Sequence, residues 1–552
     1  MDQNDKIKNI EKKEAEELAQ IMAQRYGVAY LNLNRIAVDL DTLKLISEEQ
    51  ARMLGMAVIQ SAGKQLQIVV KNPNLDSIKE KIEELRRLGY TPQIFLGSLP
   101  GLEHVWSRYK EIPAEVIITT NVVDITRSDF QEFHERVTNA QTLGVILSKK
   151  ISLRGLGHTS EVLEMILLGA LILEASDVHI EAEEERVRLR LRIDGLLQDI
   201  ADFSHDLHHA IMNRIKLVSH LKLNVIDRSQ DGRFTIRAKE AAIEVRVSTL
   251  PGPYGESVVM RILNPKAIAL GFDDLGMQPP VFKLMLKELN RPNGMIITTG
   301  PTGSGKTTTL YAFLKKVREE PGMKIITIED PIEYHLEGIS QTQVNKEAGY
   351  TFENGLSAIV RQDPDVILVG EIRNKETAEI AMHASLTGHL VFSTLHTNSA
   401  AGTIPRLVDL GISANILAPA INVAIAQRLV RVLCKHCKKE TSPTPEQKIV
   451  IEKVVTSLPA EYERPSLDHI TTYTAGSCGE CNHTGYRGRI GIYEVFLIDD
   501  EIERLILKNP PEAEVLALAE KQGMLTMQKD GILKILSGAT SFEELERIVG
   551  LP

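Results

Sequence analysis

The sequence is poor in aromatic residues and has no excess of positive charge. Aromatic residues make up 5% of the 552 residues, and the formal net charge is -10. A protein whose main ligand is nucleic acid needs a basic surface and aromatic side chains on which bases stack. The composition therefore argues against that class, and no nucleic-acid partner is expected.

Long apolar runs are also missing. The longest, residues 165–173, is about half the length that a helix needs to cross a bilayer. The first twenty residues are charged from the start and lack the apolar core and cleavage site of a signal peptide. We expect a cytoplasmic protein that associates with the inner face of the cytoplasmic membrane only peripherally.

The length of 552 residues exceeds what one hydrophobic core supports, so three or four domains are expected. Changes in pattern along the chain predict an α/β multidomain fold. Its predicted parts are an N-terminal α/β module over 1–110, a linker region over 111–155, a middle α/β domain over 156–270 and a motor domain over 271–552.

Hydrophobic periodicity indicates the main elements. Alternation over 187–193 predicts a half-buried strand with arginines on its polar face, and related strands are expected at 243–247 and 258–263. Near-continuous apolar strands then alternate with helices, which is typical of a parallel sheet covered on both faces. These strands are expected at 295–298, 324–328, 366–369 and 390–393.

Two helices carry predicted end signals. A helix over 77–88 is expected to end at Gly89, because glycine is favoured just after a helix. Near the C-terminus, Ser541 and Glu544 have the spacing of a capping box, which predicts a short terminal helix.

A glycine-rich loop follows the apolar strand at 295–298 and opens a helix-forming segment. It reads Gly300-Pro301-Thr302-Gly303-Ser304-Gly305-Lys306-Thr307, which fits the pattern Gly-x4-Gly-Lys-Ser/Thr. Glycines let backbone amides approach phosphates, and the helix N-terminus attracts their charge. We expect Lys306 to reach the β- and γ-phosphates of ATP, Thr307 to hold Mg²⁺ and Thr308 to complete the site.

Acidic residues follow two other apolar strands. Glu371 comes just after 366–369, and Glu333 belongs to the acidic segment after 324–328. Glu371 could orient the attacking water as a general base or act through a magnesium-bound water. Glu333 competes for that role, and a surface acid after a strand is the plain alternative for Glu371.

Histidines and arginines supply further candidates. His389 and His396 flank the strand at 390–393; each is structural if taken alone, but near a triphosphate one could sense the γ-phosphate. Arg246 and Arg261 lie on strands of the middle domain. They either face solvent or are presented to the charge on the transferring phosphoryl group.

All four cysteines of the chain fall into two Cys-x-x-Cys pairs with 40 residues between them. In a reducing compartment this arrangement favours a metal over disulfides, and four thiolates complete a tetrahedral, structural zinc shell. A redox pair or inert thiols are the alternatives, and His436 or His483 could replace a ligand. The predicted zinc ligands, in a subdomain over 432–490, are Cys434, Cys437, Cys478 and Cys481.

Taken together, the motifs resemble the secretion-type traffic ATPases that drive type II secretion and type IV pilus assembly. In the middle domain the resemblance rests on ASDVHIE (175–181), RIDG (192–195), DGR (231–233) and RVSTLP (246–251). In the motor domain it rests on the glycine-rich loop, EDPIE (329–333), RQDPD (361–365), Glu371, His389, His396 and QRLVR (427–431). The resemblance covers most of the chain.

This resemblance implies a RecA-like ATPase domain, a PAS-like middle domain and a zinc-bearing subdomain. It implies that Arg246 and Arg261 contact phosphate and that His396 is linked to the nucleotide. It also implies a homo-hexameric ring, with nucleotide between the middle and motor domains. Hydrolysis of ATP would then move the domains against an inner-membrane platform protein and other secretion or pilus components.

Some features depart from the family pattern. Ser357 stands where the family usually has arginine, and Asn374 where it usually has aspartate. The N-terminal module lacks the tandem motifs of the versions that bind cyclic di-GMP. The alternatives are a nucleic-acid translocase, a pilus-retraction ring ATPase, or a binding module that uses nucleotide only as a switch. The sequence does not separate type II secretion from pilus assembly.

Overall fold

The computed structural model describes residues 3–33, 36, 38–43, 45–62, 65–87, 90–111, 122–124, 133–151, 159–238, 241–264 and 270–552. Contacts divide the chain into two units, Met1–Ile118 and Thr119–Pro552. Much of the expected linker over 111–155 lies outside the described residues. The expected helix end at Gly89 does too, and the helix itself covers Asp76–Arg87.

The first unit contains a four-stranded sheet in the order β1-β4-β3-β2, in which only β2 runs antiparallel to its neighbour. Its strands are β1 (Ala29–Tyr30), β2 (Met56–Ala62), β3 (Gln65–Val70) and β4 (Thr91–Leu96). Its helices are α1 (Gln3–Tyr26), α2 (Leu40–Leu43), α3 (Glu48–Leu54), α4 (Asp76–Arg87) and α5 (Leu99–Ser107), with a 3-10 turn over Arg108–Glu111. Trp106 is buried in the core of this unit, and its indole nitrogen donates to the Met56 carbonyl at 3.1 Å.

The second unit begins with a seven-stranded sheet, here called the middle sheet, in the order β5-β9-β10-β11-β6-β7-β8. Its strands are β5 (Val122–Asp124), β6 (Asp177–Ala182), β7 (Val187–Ile193), β8 (Leu196–Phe203), β9 (Gln230–Ala238), β10 (Ala241–Leu250) and β11 (Ser257–Leu263). Its helices are α6 (Ala140–Ile151), α7 (Thr159–Ile172) and α8 (His205–Val218). Every second residue of β7 is buried and the arginines between them are half-buried, so the alternation in the sequence is confirmed.

A second seven-stranded sheet, the motor sheet, has the order β14-β13-β15-β16-β12-β17-β20. Its strands are β12 (Gly294–Thr299), β13 (Ile325–Glu329), β14 (Ser340–Gln343), β15 (Val366–Val369), β16 (Leu390–Leu395), β17 (Ile421–Leu433) and β20 (Tyr486–Leu497). Six strands are parallel and β20 alone is antiparallel to its neighbour. The predicted parallel sheet is confirmed, since β12, β13, β15 and β16 are buried along their whole length.

Helices cover both faces of the motor sheet, and a short strand pair and two 3-10 turns complete this part. The helices are α9 (Pro279–Leu289), α10 (Lys306–Arg318), α11 (Phe352–Val360), α12 (Lys375–Leu386), α13 (Thr403–Asp409), α14 (Ala414–Ala420), α15 (Pro445–Thr456), α16 (Asp500–Ile506), α17 (Glu512–Lys521), α18 (Met527–Leu536) and α19 (Phe542–Val549). The paired strands are β18 (Lys439–Thr441) and β19 (Thr472–Thr474), and the 3-10 turns are Phe272–Leu275 and Gly479–Cys481.

This topology brings distant sequence motifs to one place. Strands β13, β15, β16 and β12 are neighbours and parallel, so their carboxyl ends lie along one edge of the sheet. Ligands of open α/β sheets bind at such an edge. The glycine-rich loop, the two acidic segments and His396 each follow one of these four strands.

The C-terminal helix forms, but only half of the predicted capping box does. The Ser541 hydroxyl accepts from the Glu544 amide at 3.3 Å. The Glu544 carboxylate accepts instead from the Arg431 amide at 3.0 Å and from the guanidinium groups of Arg431 and Arg547. The prediction was wrong in this respect because two guanidinium groups compete for the carboxylate. Among the described helices, none combines the length and apolar character that crossing a bilayer requires.

Candidate active site and metal centre

The glycine-rich loop packs against the neighbouring strand β17 so closely that it needs glycine. Gly300 and Gly305 have φ of 148° and 91°, values that other residues rarely adopt. A Cβ on Gly300 would lie 2.7 Å from the backbone carbonyl oxygen of Gln427, and a Cβ on Gly305 would lie 2.8 Å from the side-chain Nε2 of Gln427. The positive φ angles and the lack of space for a side chain explain why both of these positions are glycine.

Lys306 lies inside the loop. Its ammonium group donates to the carbonyls of Gly300 at 2.7 Å and Pro301 at 3.1 Å. Burial lowers the pKa of Lys306 to about 8, while the charge of Glu371 acts in the opposite direction. Thr307 is exposed in the first turn of α10. The cap residue, Gly305, has no side chain to accept from the first amides of this helix, which suits an anion.

The loop forms one wall of a cleft of about 520 Å³ between the motor sheet and the middle sheet. This volume is in the range of small-molecule sites. Of the predicted nucleotide-binding residues, Thr302, Gly303, Ser304, Gly305, Lys306, Thr307 and Thr308 line the cleft. The predicted catalytic residues Glu333, Glu371, His396 and Arg261 also line it.

Glu371 follows β15 directly and its side chain is only 15% exposed. One carboxylate oxygen is 2.5 Å from an Arg373 guanidinium nitrogen, and the other is 3.8 Å from Nε2 of His396. Burial and the charge of Lys306 lower the pKa of His396 below its ordinary value, and Glu371 opposes this shift. The lysine, the glutamate and a histidine that is neutral at pH 7 therefore form one cluster.

Glu333 is engaged differently. Its carboxylate is 2.9 Å from the Arg246 guanidinium, which also donates to the Ile332 carbonyl at 2.6 Å. Arg246 therefore contacts the acidic segment that follows β13, beside the cleft, and does not simply face solvent. Arg261 lines the cleft and donates through Nε to Asp177 at 3.0 Å.

The two predicted histidines lie at opposite ends of β16. His396 follows the strand at the cleft. His389 precedes it, and its Nδ1 is 2.9 Å from the Ala384 carbonyl oxygen. Of the two histidines, only His396 lines the cleft.

Two further residues of the cleft, Glu329 and Arg489, were not among the predicted catalytic or binding residues, although Glu329 belongs to the EDPIE motif. Glu329 is buried and accepts from the hydroxyls of Tyr311 at 2.5 Å and Thr327 at 2.6 Å. A polar residue at the end of a buried strand was a usable signal for it. Arg489 reaches the cleft from β20. No local pattern predicts this, because it depends on the pairing of β20 with β17.

The four cysteines form a compact cluster in which all sulfur atoms lie within 4.8 Å of one another. The Sγ–Sγ distances are 3.8 Å for Cys434 and Cys478, 3.7 Å for Cys437 and Cys481, and 3.6 Å for Cys478 and Cys481. Tetrahedral zinc with Zn–S bonds of about 2.3 Å separates its sulfur ligands by about 3.8 Å. The donor set and its spacing fit zinc.

Desolvation and hydrogen bonds with the neighbouring thiols raise the pKa of Cys437 to about 12. A divalent cation bound to the sulfur atoms would lower this pKa again, because coordinated thiols are deprotonated. In the described part of the chain the cluster contains neither His436 nor His483. The Nδ1 atom of His483 lies 3.2 Å from the Ser477 hydroxyl.

The chain matches a known protein family and several curated proteins. The profile of the type II/IV secretion system protein family matches residues 152–547. The chain is 46% identical over 383 residues to the type II secretion system protein E of Pseudomonas aeruginosa, covering 69% of this chain and 74% of that protein. It is 37% identical over 488 residues to the putative type II secretion system protein E of Escherichia coli, covering 84% and 95%.

A solved structure confirms the fold. The ATPase DotB of Yersinia pseudotuberculosis superposes with a TM-score of 0.52 at 19% sequence identity, over 70% of this chain and 92% of that one. At this identity the likeness concerns the fold alone.

Proposed function

The chain belongs to the type II/IV secretion system protein family, and from this premise we propose that it is a homo-hexameric motor ATPase powering protein secretion or pilus assembly. One observation carries the proposal. The glycine-rich loop, Glu371 and His396 share a single cleft with Arg261 of the middle sheet. A nucleotide in that cleft touches both sheets, so its hydrolysis can change their relative position.

In this proposal the loop from Gly300 to Thr308 wraps the triphosphate. Lys306 would contact its β- and γ-phosphates, and the exposed Thr307 hydroxyl would hold Mg²⁺. When bound, Mg²⁺ neutralises charge on these phosphates. Arg261 and Arg246 contribute positive charge from the middle sheet.

Glu371 is proposed as the group that orients the attacking water and accepts its proton. Its carboxylate lines the cleft and is 15% exposed. Glu333 remains the second candidate, but its carboxylate is held in an ion pair with Arg246 of the middle sheet. His396, which lies 3.8 Å from Glu371 and is affected by the charge of Lys306, is proposed to report the presence of the γ-phosphate.

The output is proposed to be motion of the middle sheet against the motor sheet, passed to a platform protein of the inner membrane. The motor would act from the cytoplasmic face and associate with the membrane peripherally. Both named relatives are type II secretion proteins, which favours secretion over pilus assembly. The four cysteines are proposed to hold a structural Zn²⁺.

Phosphate release from Mg-ATP by the purified full chain tests the proposal. Lys306→Ala should lose at least about a hundredfold in turnover, since it removes a charge that stabilises the transferring phosphoryl group. Lys316→Ala, on the same helix but outside the cleft lining, partly exposed and paired with Glu319, is the matched control and should keep its activity. Undiminished hydrolysis in Lys306→Ala would overturn the site, and no hydrolysis by an assembled hexamer would favour a nucleotide switch.

A further inference from the structure

A hydrogen-bonded contact joins helix α11 to the loop that carries Glu371. The Asn374 side-chain amide donates through Nδ2 to a Glu353 carboxylate oxygen at 2.7 Å. The Thr377 hydroxyl donates to the same oxygen at 3.1 Å. Glu353 lies in the first turn of α11, and Asn374 is the N-cap of α12.

Both ends of the Asn374 side chain are used. While Nδ2 donates to Glu353, Oδ1 accepts from the Thr377 amide at 3.0 Å and caps α12. Hydrogen bonds from the Thr351 hydroxyl, Asn374 and the Glu353 amide hold the pKa of Glu353 at about 2, so this carboxylate is ionised near neutral pH.

The residue type at 374 matters for this contact. An aspartate at this position would still cap the helix. It would offer no donor, however, and would place a second negative charge next to Glu353. Asparagine serves both contacts, so Glu353 and Asn374 match each other in this chain.

The contact fixes the far end of the loop. On the strand side, the Gly370 amide donates to the Ile328 carbonyl at 2.8 Å, and the Ile372 amide donates to the Thr394 carbonyl at 3.0 Å. On the helix side, the loop is held by Asn374 and its bond to Glu353. The Gly370 and Ile372 bonds flank Glu371, and the Asn374 bond holds the loop just beyond Arg373.

We propose that Glu353 and Asn374 are a positioning pair that holds the Glu371 carboxylate at the place in the cleft where the attacking water is activated. This inference rests on the proposed function, in which Glu371 acts on water. Neither residue of the pair needs to touch the nucleotide. A general base works only within hydrogen-bonding reach of its proton, and small misplacements are costly.

The test compares steady-state ATP hydrolysis of full-length variants. Asn374→Asp should lower kcat about tenfold, with KM within about twofold, because orientation is lost while nucleotide contacts stay. Adding Glu353→Gln should restore kcat to within about threefold of wild type, since the new amide donates to the new carboxylate. Glu376→Gln, exposed in the first turn of α12, is the control and should change neither constant.

A further variant separates loss of the donor from added charge. Asn374→Ser keeps an acceptor for the helix cap but cannot reach Glu353 in the same way, so an intermediate loss of kcat is expected. Far-ultraviolet circular dichroism and the thermal midpoint verify that each variant is folded.

Three results would overturn the positioning pair: wild-type kcat in Asn374→Asp, a loss that Glu353→Gln does not recover, or a rise in KM alone. Glu371→Gln is measured in parallel. If it hydrolyses ATP normally, the proposed role of Glu371 fails. If it is slow while Asn374→Asp is normal, only the positioning pair fails.

Discussion

The guanidinium of Arg246 lies 2.9 Å from the carboxylate of Glu333, and this ion pair joins a strand of the middle sheet to the acidic segment after β13. The two side chains are 23% and 31% exposed, so water screens the pair only in part. Glu371 faces the cleft with a different neighbour, Arg373, which is 64% exposed and more readily displaced. The two acids that sequence reasoning left as competitors therefore have unequal surroundings.

From this inequality we predict that Glu371→Gln slows turnover much more than Glu333→Gln. Loss of a general base costs about a hundredfold or more, whereas Glu333→Gln should reduce kcat less than about tenfold by loosening Arg246. Single-turnover hydrolysis, with ATP binding measured separately, checks this. A Glu371→Gln enzyme with normal turnover would transfer the role to Glu333.

The affinity for ATP should depend on the ionisation of Lys306. Its pKa of about 8 means that, above that pH, binding a triphosphate must first restore the charge. Affinity should then fall about tenfold for each pH unit above 8 until the pKa of the bound state is reached. Calorimetric titration with Mg-ATP at pH 7 and 9, in buffers of different ionisation enthalpy, measures the affinity and the proton uptake.

Lys306→Arg provides the control for this effect. A guanidinium remains charged across the range, so the affinity of this variant should not change between pH 7 and 9. A wild-type affinity that is also constant would contradict the assignment.

Purified protein should contain about one zinc ion per chain, as expected for a site with four thiolates. Cys481→Ser should lose the metal and lower the thermal midpoint, because a structural ion contributes to folding. Elemental analysis and calorimetry measure the two effects. His436→Ala and His483→Ala should keep the ion, since the described cluster is built from cysteines; stable, metal-free wild-type protein would refute the site.

The side chain of Glu544 is fully buried and pairs with Arg431 and Arg547. Burial acts to raise its pKa, but hydrogen bonds from both arginines outweigh this and hold the pKa below its ordinary value. The resulting stabilisation is present above the pKa of the unfolded chain and is lost as the pH falls through the folded pKa.

Glu544→Gln should therefore lower the local free energy of unfolding of α19 by about 3 kcal/mol at pH 7, and by less in acid. Hydrogen exchange of the amides of α19, followed by mass spectrometry, measures this. Glu546→Gln, exposed on the same helix, should have little effect. A loss of protection that is as large at pH 3 as at pH 7 would contradict the charge-based explanation.

Local patterns were sufficient for much of the fold. Strand β15 covers Val366–Val369, as predicted, because a short apolar run between polar residues leaves few alternatives. Contacts between residues far apart in the sequence could not be predicted from local patterns. Arg489 lines the cleft because β20 pairs with β17, which is far from it in the sequence. Glu544 does not complete the capping box because its carboxylate binds Arg431 of β17 instead.

The long antiparallel pair of β17 and β20 has a mechanical consequence. Val423 lies opposite Leu497 at one end and Leu433 opposite Tyr486 at the other, next to the cysteines. A cation shared by all four thiolates would fasten the two strands together at that end. Neither strand could then slip by one residue past the other, a slip that would turn its side chains to the opposite face. The part of β17 beside the glycine-rich loop would then keep its register with β20 during motion of the middle sheet against the motor sheet.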